Sequence, residues 1–171
     1  MASKVKKMIF ATDLSMGARY AFKHAVDIAV HLNAVITVLH VIENIPNELE
    51  FVDLIGEKKW KELRKKRYQD ARDVLIDKKT ERRLIEKTLK QLCTNMQNES
   101  AMPSELVEIE VKYGDTAKLI IDQVENGNCD MIVLAYHYRN LIKEVLPGQV
   151  TRKVLKHAKI PILLIPISHA G

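Results

Sequence analysis

The amino-acid sequence predicts an α/β fold in which one parallel sheet carries helices on both faces. Short β-branched runs alternate with longer amphipathic stretches in the order β-α-β-α-β-α-β-α-β, the pattern that crossover helices between parallel strands produce. Two of the runs, VITVLHV at 35–41 and DMIVLA at 130–135, are almost continuously apolar, as strands covered on both faces must be. The 171 residues, 47% of them apolar, suffice for one sizeable core and not for two ordinary domains. The chain is therefore read as a single domain over residues 1–171.

The elements follow in order. Strand one is KMIFAT at 7–12. Helix one runs from about 17 to 32, with Ala21, Phe22, Ala25, Ile28, Ala29 and Leu32 at three- and four-residue steps on one face and Ser15 placed to cap it. Strand two, 35–41, is expected to be central. Strand three, about 106–112, alternates Val107, Ile109 and Val111 with Glu108 and Glu110, so one of its faces meets water or a helix edge. Gly114 turns the chain, and Asp115 caps a helix through Val124 whose stripe is Ala117, Ile120, Ile121 and Val124. Strand four is 130–135, and the last helix spans about 148–157. Strand five, 160–166, has Pro161 and Pro166 near its ends; an interior strand would need the missing N–H groups, so this is an edge strand.

One stretch exceeds this minimal pattern. Residues 57–90 hold fourteen Lys and Arg against seven Asp and Glu, a net charge of +7 in a chain whose total is +5, so the remainder is −2. A solvated helix face is the ordinary meaning of such a run. Leu84, Ile85, Leu89 and Leu92 mark its C-terminal half as a helix packed on the sheet, whereas the first half, around Trp60, Leu63, Ala71, Val74 and Leu75, reads as an extra helix or a projecting extension.

Several function classes fall away. Cys93 and Cys129 are too few for a disulfide scaffold and lack metal-ligand spacing, which fits a reducing cytoplasm. The apolar run after the N-terminus stops at Asp13, and no eighteen apolar residues run together, so the chain is expected to be neither exported nor membrane-spanning. The six glycines at 17, 56, 114, 127, 148 and 171 form neither a dinucleotide fingerprint nor a Walker loop. Serines 15, 100, 104 and 168 belong to no motif linking them to a His and a carboxylate, and no His pair sits at i, i+4; the chain is expected to be neither a hydrolase nor a metalloprotein. In an open parallel sheet a ligand sits beyond the carboxyl ends of the strands, where strand order reverses. That points to residues 12–15, 41–43 and 135–151. Gly148 there begins a helix, whose free N–H groups and dipole favour a phosphate.

The segments MIFATDLS at 8–15, VLHV at 38–41, Gly114-Asp115, DMIVL at 130–134 and VTRKVLKHAKIPILLI at 150–165 together resemble the universal stress protein family over nearly the whole chain. The resemblance implies a five-stranded parallel sheet of order 3-2-1-4-5, Rossmann-like and similar to the adenine nucleotide alpha hydrolases. The basic helical segment between strands two and three is then the part longer than usual. It also implies a stress-response role and a homodimer through the last strand, Pro161 to Pro166. Many members of the family bind ATP through a loop written G-x-x-G, nine residues, then G followed by Ser or Thr. With Gly148 on the last glycine, Ala135 and Tyr138 stand at the first two and Gln149 at the hydroxyl position. Glycine gives room and positive φ where backbone meets phosphate, so a phenol side chain at 138 counts against the loop, and Pro147 removes one of its N–H groups. By the same resemblance Asp13 faces the ribose and adenine edge, while Thr12 and Val41 line the base. The candidate crevice is therefore Thr12, Asp13, Val41, Ala135, Tyr138, Gly148, Gln149, Val150 and Thr151, degenerate at its phosphate end. Tyr136, His137, Tyr138 and Arg139 add a polar-aromatic cluster that either covers the strand ends or meets a base or an anion.

The function expected is that of a cytoplasmic, non-enzymatic stress protein acting as a homodimer on an unidentified protein partner, with ATP binding lost or weakened. Alternatives are an ATP- or AMP-dependent switch or weak ATPase, and binding of nucleic acid or an acidic partner through the basic helix. The nucleic-acid reading ranks last, because only Trp60 and Tyr68 offer aromatic platforms in that run.

Overall fold

A computed structural model describes residues 4–43, 57–100, 102–137 and 148–167. Its strands are β1 (Lys7–Thr12), β2 (Val35–Ile42), β3 (Val107–Tyr113), β4 (Met131–His137) and β5 (Ile162–Ile167); its helices are α1 (Met16–Leu32), α2 (Glu57–Ser100), α3 (Thr116–Glu125) and α4 (Gln149–His157). All five strands are parallel in one sheet of order β3-β2-β1-β4-β5. The chain builds outward from β1 to β3, then returns to the other side of β1 to lay down β4. The order reverses between β1 and β4, and a crevice opens there.

Side-chain alternation on β1 fixes the two layers. Met8 and Phe10 face a core shared with Phe22, Ala25 and Ala29 of α1 and Leu89, Leu92 and Cys93 of α2. Ile9 faces the opposite core with Leu39, Ala117 and Ile120 of α3 and Val154 of α4. Because successive residues of a strand point to opposite faces, the run must be apolar at every step to serve both layers. Phe10 and Phe22 meet with ring centroids 5.2 Å apart. Ser15 caps α1 by accepting from the Ala18 N–H at 3.1 Å, and Asp115 caps α3 by accepting from the Lys118 N–H at 2.9 Å. The α1 helix ends at Asn33 in the left-handed conformation, which asparagine tolerates.

The basic segment is one helix rather than two. At 1.5 Å per residue the 44 residues of α2 reach about 66 Å. Among its described side chains, those of the C-terminal part meet the core. Leu84 corrects the expectation of a packed stripe from 84 onward: it is 65% exposed, whereas Leu89 is fully buried. Residue 84 stands five positions before Leu89, which is 500° at 100° per residue and so well off the buried face. From Lys79 to Leu84 every residue is exposed, and Ile85 is the first to pack against the core. Among the described residues no helix is long and apolar enough to cross a membrane.

Both cysteines are free and buried, and burial pushes each thiol up to about 11; they stay protonated near neutral pH and act as small hydrophobes. Strand boundaries shift by one or two residues from expectation. The β4 strand runs on to His137 and β5 to Ile167, because each gains a partner in the register Tyr136 to Pro166 and His137 to Ile167. Strand β5 lies at the sheet edge, as its prolines required.

Truncating Leu89 to Ala is expected to cost about 2–5 kcal/mol by leaving a cavity, while Leu84→Ala costs less than about 0.5 kcal/mol. Urea denaturation followed by circular dichroism measures both.

Candidate functional site

The crevice at the strand reversal has a volume of about 290 Å³. Ala11, Thr12, Leu134 and Ala135 form its floor from β1 and β4; His40, Val41 and Glu43 bound it from β2; Val150 and Thr151 bound it from α4, and Ala18 and Ile167 from behind. Gly17 makes the last contact possible. A β-carbon there would stand 2.5 Å from Ile167 Cδ1 and 3.3 Å from its Cβ, so a larger residue would force the Ile167 side chain to turn and give way.

The loop after β1 is wound tightly by its own side chains. Thr12 Oγ1 accepts from the Leu14 N–H at 3.0 Å, Asp13 Oδ1 accepts from the Ser15 N–H at 2.9 Å, and Ser15 then caps α1. These three bonds hold Leu14 at φ +64°, a left-handed conformation that costs an L-residue roughly 1–2 kcal/mol. Strain of this kind persists where the surroundings over-determine it, often beside a binding site. Its effect is to leave Asp13 exposed at the rim, with only one carboxylate oxygen used by the turn among the described residues. From the neighbouring strand, His40 Nδ1 lies 2.9 Å from the Thr12 carbonyl oxygen and so donates to it, tying β2 to the start of this loop. At the opposite rim Thr116 donates to Glu43 at 3.1 Å.

The structure brings Thr12, Asp13, Val41, Ala135, Val150 and Thr151 to one crevice. Thr12, Val41 and Thr151 are buried and Ala135 is half-buried. Ala135 is a strand residue paired with Ile165, so the position of the family's first loop glycine lies inside β4. Gly148 and Gln149 are exposed at the start of α4 and do not line the crevice. Gly148 has φ −57°, which any residue adopts, so its conformation makes no demand for glycine. Among the described residues no side chain caps α4, and a helix start of this kind favours an anion. Tyr136 is half-buried in β4; Tyr138, Arg139 and Pro147 lie outside the described residues. Among the described residues no three His, Cys, Asp or Glu could hold a metal ion.

The crevice also contains residues that the sequence did not single out. His40 precedes Val41 near the end of β2, and Thr116 follows Asp115 after β3, whereas Glu43 belongs to the 41–43 stretch that the strand ends already indicated. Their signal was position alone, because each sits at or just past the carboxyl end of a strand. Ile167 gave no signal, since β5 was expected to stop at Pro166.

Comparison with known proteins decides the family. The universal stress protein family model matches residues 4–166. The chain belongs to this family. A universal stress protein of Methanocaldococcus jannaschii is 25% identical over 160 residues, covering 94% of this chain and 81% of the other, and a second from that organism is 22% identical over 96% and 97%. Among solved structures, universal stress protein UspA from Lactobacillus plantarum superposes with a TM-score of 0.61 at 23% identity, covering 95% and 99% of the two chains. A universal stress protein in complex with cAMP superposes with a TM-score of 0.58 at 14% identity, covering 95% and 98%. These similarities establish the shared fold.

In this universal stress protein the turn into α3 also ties α4 to the sheet. Asp115 Oδ2 lies 2.9 Å from Lys153 Nζ. The Lys118 N–H, then the Lys153 ammonium, hold the Asp115 carboxyl below its ordinary value of 3.8. A depressed carboxylate stabilises the fold above the unfolded-state pKa, and that contribution is lost as the pH falls through the folded value. Asp115→Ala is therefore expected to destabilise by about 1 kcal/mol near pH 7, mostly through the lost cap. The gap to the parent protein should close as the pH falls below about 4. Thermal unfolding between pH 3 and 7 reads the difference.

Proposed function

We propose that this chain is a non-enzymatic regulatory stress protein that holds an adenine nucleotide weakly and by its nucleoside end, and that works as a single-domain homodimer in the cytoplasm. The observation that carries the nucleotide reading is the crevice shared by Thr12, Asp13, Val41, Val150 and Thr151, with a carboxylate oxygen of Asp13 available at its rim. A ribose hydroxyl is a good donor to that oxygen, and the apolar walls from Ala11, Val41 and Leu134 suit the face of a base. A phosphate would be met by the uncapped start of α4. Beyond that first phosphate the support thins, because Ala135 and Gln149 replace a glycine and a small hydroxyl of the family loop. A structural relative is described in complex with cAMP, which accords with a ligand carrying one phosphate. The homodimer reading rests on the free edge of β5, whose outer backbone groups a second copy would satisfy.

Titration calorimetry with AMP and ATP tests this reading. AMP should bind at least as tightly as ATP, both with Kd above about 0.1 mM, and Asp13→Asn should weaken both. Micromolar ATP binding would overturn it. Sedimentation of the protein should give a dimer that Leu163→Lys shifts toward monomer.

A further inference from the structure

A second concavity, about 660 Å³, runs along the outer edge of β3 between the helical layers. Among the described residues β3 ends the sheet and pairs only with β2. The Gly114 N–H donates to the Ile42 carbonyl; alternation back along the strand turns the N–H and C=O of Ile109 and Val111 outward, away from β2. Both residues line the groove. One wall is the face of α2 bearing Arg82, Glu86 and Lys90, and the other combines Leu119 of α3 with Glu110 and Lys112 of β3. Helices from opposite faces of the sheet therefore flank an open strand edge, the surroundings an interior strand has.

We infer that this edge is the docking site for an extended acidic segment of a partner protein, which adds to the sheet as a sixth strand beside β3. Strand addition takes its affinity from main-chain hydrogen bonds and its specificity from alternate side chains. The walls supply that alternation. Arg82 and Lys90 make the α2 wall cationic; Glu86 is engaged by Arg82 at 2.9 Å, and Lys90 has no ion-pair partner among the described residues. Lys79, Arg83 and Lys87 extend the positive charge on exposed positions of the same helix. On the α3 side Leu119 offers an apolar contact beside Glu110 and Lys112, which pair with each other at 2.7 Å and so bring no net charge to that side. An incoming strand with carboxylates toward α2 and apolar residues toward Leu119 fits this arrangement. A second copy of this chain is disfavoured, because pairing β3 with itself would bring two cationic α2 faces together.

The probe is a fluorescein-labelled octapeptide alternating Val and Glu, with a Val–Lys octapeptide and single-stranded oligothymidylate as comparisons. The Val–Glu peptide should bind by anisotropy, and the Val–Lys peptide should not. Saturation should slow amide exchange at Ile109 and Val111 by about tenfold or more, with AMP leaving those amides unchanged. The paired change Arg82→Glu and Lys90→Glu, on exposed helix positions, should weaken binding by about tenfold or more. Ile109→Pro, which removes an outward N–H, should abolish binding while circular dichroism shows the fold retained. Unchanged exchange at Ile109 and Val111, equal binding of both peptides, preferential binding of oligothymidylate, or self-association through β3 would each overturn the proposal.

Discussion

The whole arrangement depends on the burial of β1 between β2 and β4. Met8, Ile9 and Phe10 are each at most 1% exposed, so this strand is covered on both faces and paired on both edges. Its backbone groups can be satisfied only by neighbours on either side. The chain leaves β1 through α1 to lay down β2 on one side, and reaches β4 on the other side only after β3 and α3, so the connections at the ends of β1 and β4 run in opposite directions. The gap between them is the crevice. A strand that holds the sheet together also creates the place where the sheet is open.

What happens at that gap is set by the four residues that leave β1. Thr12, Asp13 and Ser15 each spend a side-chain oxygen on a nearby N–H, and the turn they make holds Leu14 in a conformation that leucine does not prefer. Half-burial of Leu14 against the core offsets part of that cost. Across the crevice α4 begins at Gly148 with no side-chain cap among the described residues. The two sides therefore differ in kind: one is a fixed polar turn, the other a helix start. That difference is what the proposal of a nucleotide held by its nucleoside end rests on.

Much of the fold was legible because the sequence encodes it locally. The apolar steps of 8–12 and 35–41 require strands covered on both faces, and Ser15 and Asp115 mark helix starts by a side-chain oxygen in the right place. The parallel alternation and the edge prolines of β5 follow from backbone chemistry that needs no tertiary information. Leu84 was misread because a run of leucines suggests a packed face, yet the buried face is fixed by Leu89, Leu92 and Cys93, and 84 falls outside their arc. The position of the crevice was legible from the strand ends. His40 and Thr116 were not, since ordinary polar residues at strand ends become lining only when three separate loops converge.

By itself the sequence determined the element types, the parallel α/β class and the basic character of 57–90, each of which depends on periodicity or charge. The departures at Ala135, Tyr138 and Gln149 are read against the loop of the family that the chain resembles. Tertiary structure decided which polar groups share the crevice, how far β4 and β5 extend, and that both edges of the sheet differ in surroundings. Strand β5 is bounded by prolines, whereas β3 lies in a groove between the basic face of α2 and Leu119 of α3. Such differences arise from elements distant in sequence meeting across the sheet, a matter of packing that local pattern does not carry.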